Sequence, residues 1–337
     1  ALLGAASAQD AQTTSPVAEV GGGEVRSALN AYAAYHNDVS ELRTTSPRNA
    51  NDLEATIDRI GRHNSTALTR GWIAYGAVTA AQSPEFVQGV RDAAAYYGRD
   101  AVIWAVSVDN TYARGLRGGA EVTRLLLNSA HADSARILEV ADRYTELSYT
   151  LQRQRWANAV APQRDQRLQR VRNLSREGAP ASAVPASYAP RLSVAMLSAQ
   201  PTQDPTAFGG RRFWDALGGA GDVTPVASTP ANYEWRVYRP RAEALDRMAS
   251  VAALQALDAG TSHQTTIAQL LQDPRSYQCV DLTQLQLIQC MSAARFRYEH
   301  TFCLANHGLR EVGQCIASVA EPGATALAPG SHGGGRP

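Results

Sequence analysis

The chain has 337 residues, of which 44% are hydrophobic and 19% are charged, and its formal net charge is +1 at pH 7. This length can hold one large or two ordinary domains with ample core. Because the charges nearly balance, no overall field favours nucleic acid, and we expect no nucleic-acid partner. All 32 basic residues are arginines, which excludes chemistry that depends on lysine, such as a Schiff base or a P-loop.

The first residues have the composition of a secretion signal. Residues 1–8 are apolar and end in Ala6-Ser7-Ala8, the small-x-small pattern that signal peptidase accepts. We interpret them as the remnant of a signal peptide cleaved before Gln9, although an ordinary Ala-rich N-terminus has the same composition. Residues 9–23 are a flexible lead-in. No later stretch has eighteen consecutive apolar residues, so we expect no transmembrane span and a periplasmic or secreted location.

Residues 24–177 are predicted to form an all-helical domain. Proline and capping patterns divide it, with Ser46-Pro47 ending one helix and Ser83-Pro84-Glu85 opening another. We expect helices over residues 25–42, from 51 onward, over 65–82 and over 84–97. Residues 100–109 are apolar and β-branched, but no second strand is evident, so we predict a buried helix. The clearest amphipathic stripe runs from Ile137 to Leu151.

The rest of the chain changes character twice. Residues 178–231 are rich in Pro, Gly and Ala and are predicted to be linkers around short helical pieces. Residues 232–320 are predicted to form a smaller helical module that contains all four cysteines, and 321–337 a disordered tail. Helices in this module are expected at about 241–259, 265–272, 282–306 and 309–319. The predicted fold class is therefore all-α, with a helical N-terminal domain and a disulfide-stapled helical C-terminal module.

The cysteines are Cys279, Cys290, Cys303 and Cys315. An even number in an exported protein indicates disulfides. Residues 290–303 contain neither Gly nor Pro, and a continuous helix would hold their ends about 20 Å apart, too far for a bond.

A helix stop predicted at Asn306-His307-Gly308 favours Cys303–Cys315 with Cys279–Cys290. The alternative is Cys279–Cys315 with Cys290–Cys303, which requires a helix break near Tyr298. That nested pairing would resemble the twin-cysteine helical hairpins of small oxidised proteins, whose cysteine spacings are shorter and equal.

A zinc site is a second interpretation of the same residues. His300, Cys303 and His307 lie on one helical face, and Cys315 or Cys290 could complete a tetrahedron. The spacing matches no standard zinc finger, and an oxidising compartment favours disulfides. We therefore expect neither a metal nor a cofactor.

Catalytic motifs are weak throughout the chain. Residues 260–264 approach a nucleophile elbow but lack its second glycine, and residues 218–221 lack the spacing of a phosphate loop. An all-helical cell-wall glycan hydrolase would need paired carboxylates, for which Glu24, Glu41 and Glu54 are candidates, beside an aromatic groove. The aromatic residues at helical spacing, which are usually core residues, are Trp72, Tyr75, Tyr96, Tyr97 and Trp104.

An arginine-rich run is the most distinctive surface feature. Only Asp165 and Glu177 interrupt it with negative charge, and arginine forks suit phosphate and carboxylate groups. Its members are Arg153, Arg155, Arg164, Arg167, Arg170, Arg172 and Arg176. A solvated helix without a partner would have the same composition. The sequence favours a structural or interaction-mediating envelope protein over an enzyme, with anionic lipid, cell wall or another envelope protein as partner and the glycan hydrolase as alternative.

Overall fold

A computed structural model describes residues 23–161, 164–177, 214 and 235–322. The all-α fold predicted from the sequence is confirmed, since the described structure is 78% helical with almost no strand. The helices of the N-terminal part are α1 (Glu24–Thr44), α2 (Ala50–Gly61), α3 (Ser65–Ala80), α4 (Pro84–Tyr97), α5 (Arg99–Val108), α6 (Tyr112–Gly115), α7 (Gly119–Leu151) and α8 (Arg164–Glu177).

The C-terminal part begins and ends with a short strand. β1 (Trp235–Val237) pairs antiparallel with β2 (Ala320–Pro322), with Arg236 opposite Glu321. The predicted disordered tail therefore starts too early, because residues 321 and 322 lie in β2; residues 323–337 fall outside the described part of the chain. Between the strands are a 3-10 turn (Arg239–Arg241), α9 (Ala242–Ala256), α10 (Gln264–Leu270), α11 (Pro274–Ala293), α12 (Arg297–Cys303), a π-helical segment (Leu304–Arg310) and α13 (Glu311–Ala317).

Short polar side chains start several of the N-terminal helices. Asn49 accepts a hydrogen bond from the Asp52 amide at 2.9 Å, and Asn64 does the same for Ala67 at 2.7 Å. Ser83 caps α4, with Pro84 in its first turn as predicted. Because each cap pairs an amide that the helix leaves free, these starts are locally encoded.

One large hydrophobic cluster, the main core, joins both ends of the chain. Helix α3 lies at its centre, between α1 and α9, and α7 packs against the π-helical segment and α13. Gly71 permits the close approach of α1 and α3, since a Cβ there would lie 2.6 Å from the Ala28 carbonyl oxygen. The residues assigned by sequence to an N-terminal domain and to a C-terminal module thus share a single core.

A second, smaller hydrophobic cluster lies where α2, α8 and α11 meet. Its buried members are Leu53, Ile57, Val171, Leu287, Met291, Ala294 and Cys303, with Trp156 and Leu168 partly buried against them. The cluster brings together residues from four separate stretches of sequence. It positions the arginine-rich helix α8 on the body of the protein.

The favoured disulfide pairing is wrong. Cys279 is bonded to Cys315 and Cys290 to Cys303, with Cα–Cα distances of 5.8 and 5.6 Å. This is the nested alternative. It staples α11 against the antiparallel run of α12, the π-helical segment and α13, as expected of a disulfide-stapled helical module.

The pairing differs because the chain turns earlier than predicted. Helix α11 ends at Ala293 and α12 begins at Arg297, so residues 290–303 are not one helix. The Glu299 carboxylate accepts hydrogen bonds from the Arg295 and Phe296 amides, which stabilises the break. Conversely, Gly308 does not stop a helix: it lies inside the π-helical segment and has no positive φ.

Candidate functional site

The arginine-rich helix α8 is held on the protein by its apolar side. Val171 is buried and Leu168 partly buried in the second cluster, against α2 and α11. The side chains of Arg170, Arg172 and Arg176 are exposed on the rest of the helix. Those of Arg164 and Arg167 lie outside the described part of the structure. An amphipathic helix with this division presents its charges to solvent.

Two further arginines of the run lie in the turn after α7. Arg153 and Arg155 are both exposed. Residues 157–161 lie between these arginines and α8. Their backbone forms hydrogen bonds with residues 295–298, at the break between α11 and α12. The Ala161 amide donates to the Arg295 carbonyl oxygen at 3.0 Å, and the Tyr298 amide to that of Ala157 at 3.1 Å.

This pairing adds an arginine that the sequence run does not contain. Arg295 is exposed beside residues 157–161, and Arg297 donates to the Trp156 carbonyl oxygen at 3.0 Å. We call the exposed set around the second cluster the arginine corner: Arg153, Arg155, Arg170, Arg172, Arg176 and Arg295. The sequence could not reveal Arg295 as a member, since it follows Arg176, the last arginine of the run, by 119 residues.

One member of the arginine corner has an acidic partner in the described part of the structure. Arg170 forms an ion pair with Asp58 of α2; burial raises the pKa of Asp58, and the nearby Arg170 offsets part of that rise. Arg172 and Arg176 are one helical turn apart and form no ion pair with any described residue. Neighbouring like charges on a helix repel each other slightly. A bound phosphate or carboxylate would relieve that repulsion and accept paired N–H bonds.

A buried polar network lies in the main core. The Asp133 carboxyl accepts a hydrogen bond from the Tyr32 hydroxyl at 2.8 Å and another from the Trp214 indole N–H at 2.6 Å. The His36 ring stacks on Trp214 at 4.1 Å, and Arg136 donates to His36 Nδ1 at 3.1 Å. Asp133, Tyr32 and Trp214 are fully buried. No substrate can reach this network without opening the core, so we assign it to stability.

A second buried carboxylate stands behind a narrow cleft. Asp38 receives bonds from both Arg62 Nη2, at 2.7 Å, and His63 Nε2, at 2.6 Å. His63 lines a narrow, partly open cleft between α11 and the π-helical segment. Its walls are largely apolar, and His307 on the opposite side is paired with Glu311 at 2.8 Å. The two histidines are thus each held by a carboxylate.

The structure does not assemble the alternative zinc ligands. Cys303 and Cys315 belong to different disulfides, so neither sulfur is a thiolate. His300 is buried on α12, whereas His307 lines the cleft. Within the described part of the chain, no three His, Cys, Asp or Glu side chains are grouped to hold a metal.

Two of the three carboxylates considered for a hydrolase form ion pairs, whereas no ion pair or hydrogen bond of the partly buried Glu54 side chain is found among the described residues. Glu24 pairs with Arg70 at 2.6 Å, and Glu41 pairs with Arg59. Trp72 and Tyr75 are buried in the main core. Neither the cleft beside His63 nor the smaller one beside Trp72 is lined by a carboxylate of the described residues.

The other aromatic residues considered for a sugar-binding groove are exposed. Tyr96 and Tyr97, at the end of α4, are 82% and 64% exposed, and Trp104 and Val108, one turn apart on α5, are 67% and 60% exposed. Helix α5 forms where predicted, but the expectation that it is buried holds for only one side: Val102, Ile103 and Val106. We call the exposed set Tyr96, Tyr97, Trp104 and Val108 the aromatic tip.

Comparisons of the chain with protein-family models, with curated proteins and with solved structures gave no match. None of the helices in the described part is long and apolar enough to cross a membrane. Two exposed surfaces of the described part, the arginine corner and the aromatic tip, are the candidate binding surfaces.

Proposed function

We propose that this chain is an exported protein of the cell envelope, periplasmic or secreted, with a structural or interaction-mediating role. Its arginine corner binds an anionic envelope component such as lipid phosphate or cell-wall carboxylate. The observation that carries the proposal is the set of exposed arginines, most without an acidic partner among the described residues, around one small cluster. Exposed guanidinium groups suit phosphate and carboxylate ligands.

The two disulfides support the proposed extracytoplasmic location. Two disulfides and no free cysteine in the described part of the chain indicate an oxidising, extracytoplasmic compartment. The small-x-small pattern before Gln9 agrees with export. In a bacterial envelope, the abundant anions are lipid head groups and cell-wall carboxylates, which match arginine chemistry.

The rigidity of the arginine corner also supports a binding role. The Cys290–Cys303 disulfide lies within the second cluster, and Arg295 follows Cys290 by five residues. Backbone hydrogen bonds fix residues 157–161 to residues 295–298. Since these segments are already ordered, binding an anion would cost little additional conformational entropy.

The test compares two variants of equal charge. The corner variant carries Arg155→Gln, Arg172→Gln and Arg176→Gln, and the control carries Arg124→Gln, Arg236→Gln and Arg239→Gln at exposed sites elsewhere. Binding to anionic vesicles and to cell-wall sacculi is measured by co-sedimentation at low and high salt. We expect the wild type to bind less as salt rises. The corner variant should lose roughly 100-fold in affinity, at about 1 kcal/mol per arginine.

The control variant should bind anionic vesicles or sacculi much as the wild type does. Both variants should keep the thermal stability of the wild type, because exposed charges contribute little to folding. Equal pelleting of all three proteins would contradict the proposal and leave α8 as a solvated helix.

A further inference from the structure

The aromatic tip is built on a helical hairpin whose outer side has no packing partner among the described residues. Helices α4 and α5 meet at Gly98, whose φ of 93° is in the region that favours glycine. Helix α5 turns Val102 and Val106 toward the main core, whereas Trp104 and Val108 are exposed on a side that also carries the charges of Arg99 and Asp100. Among the described residues none covers these large apolar side chains, and exposed apolar surface of this kind marks an interaction site.

The hairpin is fixed firmly to the body. Arg91 and Arg99 donate to the Ala256 and Leu257 carbonyl oxygens at the C-terminal end of α9, at 3.4 and 3.0 Å. Cationic side chains at a helix C-terminus are stabilised by the free carbonyls and the helix dipole. These arginines therefore anchor the base of the hairpin and leave the aromatic rings pointing away from the core.

The size of the aromatic tip argues against a second protein as its occupant. A Phe, Tyr or Trp side chain can bury 150–250 Å², so three rings that are 64–82% exposed offer on the order of 300–500 Å². A stable protein interface takes about 800 Å² from each partner. Side chains that are 64–82% exposed also project outward as a convex surface, which suits a deformable partner.

The charges around the aromatic tip nearly balance. Arg117 Nη2 lies 2.7 Å from Asp92, and Arg99 Nη1 lies 3.6 Å from Asp100. The exposed Asp109, next to Val108, accepts a hydrogen bond from Thr111, and the exposed Arg91 donates to the Ala256 carbonyl oxygen. Taken together, these three arginines and three aspartates leave no net excess of either sign. Trp and Tyr rings, with an apolar body and a polar edge, are the side chains that concentrate at the boundary between lipid head groups and acyl chains.

We infer that the α4–α5 hairpin is a shallow membrane-interface anchor, in which the rings of Tyr96, Tyr97 and Trp104 insert among the head groups of a lipid bilayer. Helix α5 has ten residues and is about 15 Å long, so the hairpin lies at the surface of the bilayer and does not span it. This inference goes beyond the proposed function and uses none of the arginine corner.

The test is flotation with vesicles of pure phosphatidylcholine, which carry no net charge. The tip variant carries Tyr96→Gln, Tyr97→Gln and Trp104→Gln. The matched control carries Tyr277→Gln, Leu282→Gln and Leu285→Gln, which change exposed apolar side chains of α11. We expect the wild type and the control to float equally at low and high salt, and the tip variant to lose at least about 10-fold in bound fraction. Circular dichroism and thermal unfolding should be the same for all three.

A conservative substitution supplies a second measurement. Vesicles with brominated acyl chains should quench tryptophan emission of the wild type. Trp104→Phe should still float but lose most of that quenching, whereas Trp156→Phe should keep it, because Trp156 lies in the second cluster.

Three results would overturn the inference. The first is a wild type that does not float with phosphatidylcholine, or a tip variant that floats as well as the wild type. The second is binding only to anionic vesicles at low salt, which would assign membrane binding to the arginine corner. The third is a concentration-dependent dimer that the tip variant abolishes in the absence of lipid, which would make the tip an interface between two copies of the chain.

Discussion

Asp133 on α7 and Arg172 on α8 both project polar groups from helices, but their surroundings are opposite. Asp133 is fully buried, and Tyr32 and Trp214 donate hydrogen bonds to it from two other segments. Arg172 is exposed and has no ion pair among the described residues. A polar group whose partners are fixed inside the core specifies packing. One that is left unpaired in water contributes little to folding and stays available to a ligand.

Removing the buried carboxyl should have the largest effect on folding. Asp133→Ala leaves the Tyr32 hydroxyl and the Trp214 indole N–H buried without their acceptor, at about 1–3 kcal/mol each, so we expect the free energy of unfolding to fall by about 4 kcal/mol. The control is Asp142→Ala on the same helix, which breaks the Arg310 pair at 2.7 Å on the surface. It should cost less than about 1 kcal/mol. Chemical denaturation of both variants measures the difference.

Equal costs for Asp133→Ala and Asp142→Ala would contradict the assignment of Asp133 to a structural role. Loss of anionic-vesicle binding in Asp133→Ala while the protein remains folded would also contradict it, because the arginine corner does not contact this network.

One disulfide lies in the main core and the other in the second cluster. Cys279–Cys315 packs in the main core and closes 36 residues, whereas Cys290–Cys303 lies in the second cluster and closes 13. From loop-closure entropy, replacing each pair by alanine should lower the free energy of unfolding by about 4 and about 3 kcal/mol. Only the second replacement should also weaken binding to anionic vesicles, since that bond lies beside Arg295. Denaturation and co-sedimentation of the two double variants separate these effects.

If removal of Cys279–Cys315 weakened vesicle binding as much as removal of Cys290–Cys303, the arginine corner would not be a locally organised site. Peptide mapping of the unreduced wild type should recover Cys279 linked to Cys315, and a Cys303–Cys315 peptide would refute the nested pairing.

The smallest effect concerns pH. Burial, with Arg136 and His63 nearby, lowers the pKa of His36 well below its ordinary value of 6.5. As pH falls through 6.5, His36 becomes protonated in the unfolded state but stays neutral in the folded state. The free energy of unfolding is therefore highest above pH 6.5 and declines below it, by about 1 kcal/mol at pH 5.5.

The variant His36→Asn keeps an acceptor near Arg136 but cannot titrate, so the dependence of its unfolding free energy on pH should be shallower between pH 7 and 5.5. A dependence identical to that of the wild type would show that other groups cause it.

Local patterns in the sequence predicted most of the secondary structure. Ser83-Pro84 and the stripe from Ile137 to Leu151 depend on hydrogen bonds or periodicity within a few residues, and the structure has the helix start and the buried face where these patterns place them. The candidate site was partly predictable for the same reason. Arginines close in sequence, such as Arg172 and Arg176, are also close on one helix.

Tertiary contacts determined the disulfide pairing and the exposed surfaces. The break between α11 and α12 contains neither glycine nor proline; it exists because Glu299 caps it and because residues 157–161 pair with residues 295–298. That break selects the nested disulfides and places Arg295 in the arginine corner. The sequence also did not predict that Trp104 is exposed. An apolar pattern shows which side chains tend to avoid water, but it does not show how many sides of the helix the fold covers. Composition and spacing thus determined the helices and the cysteine count, whereas contacts between residues far apart in sequence determined the pairing and the surfaces.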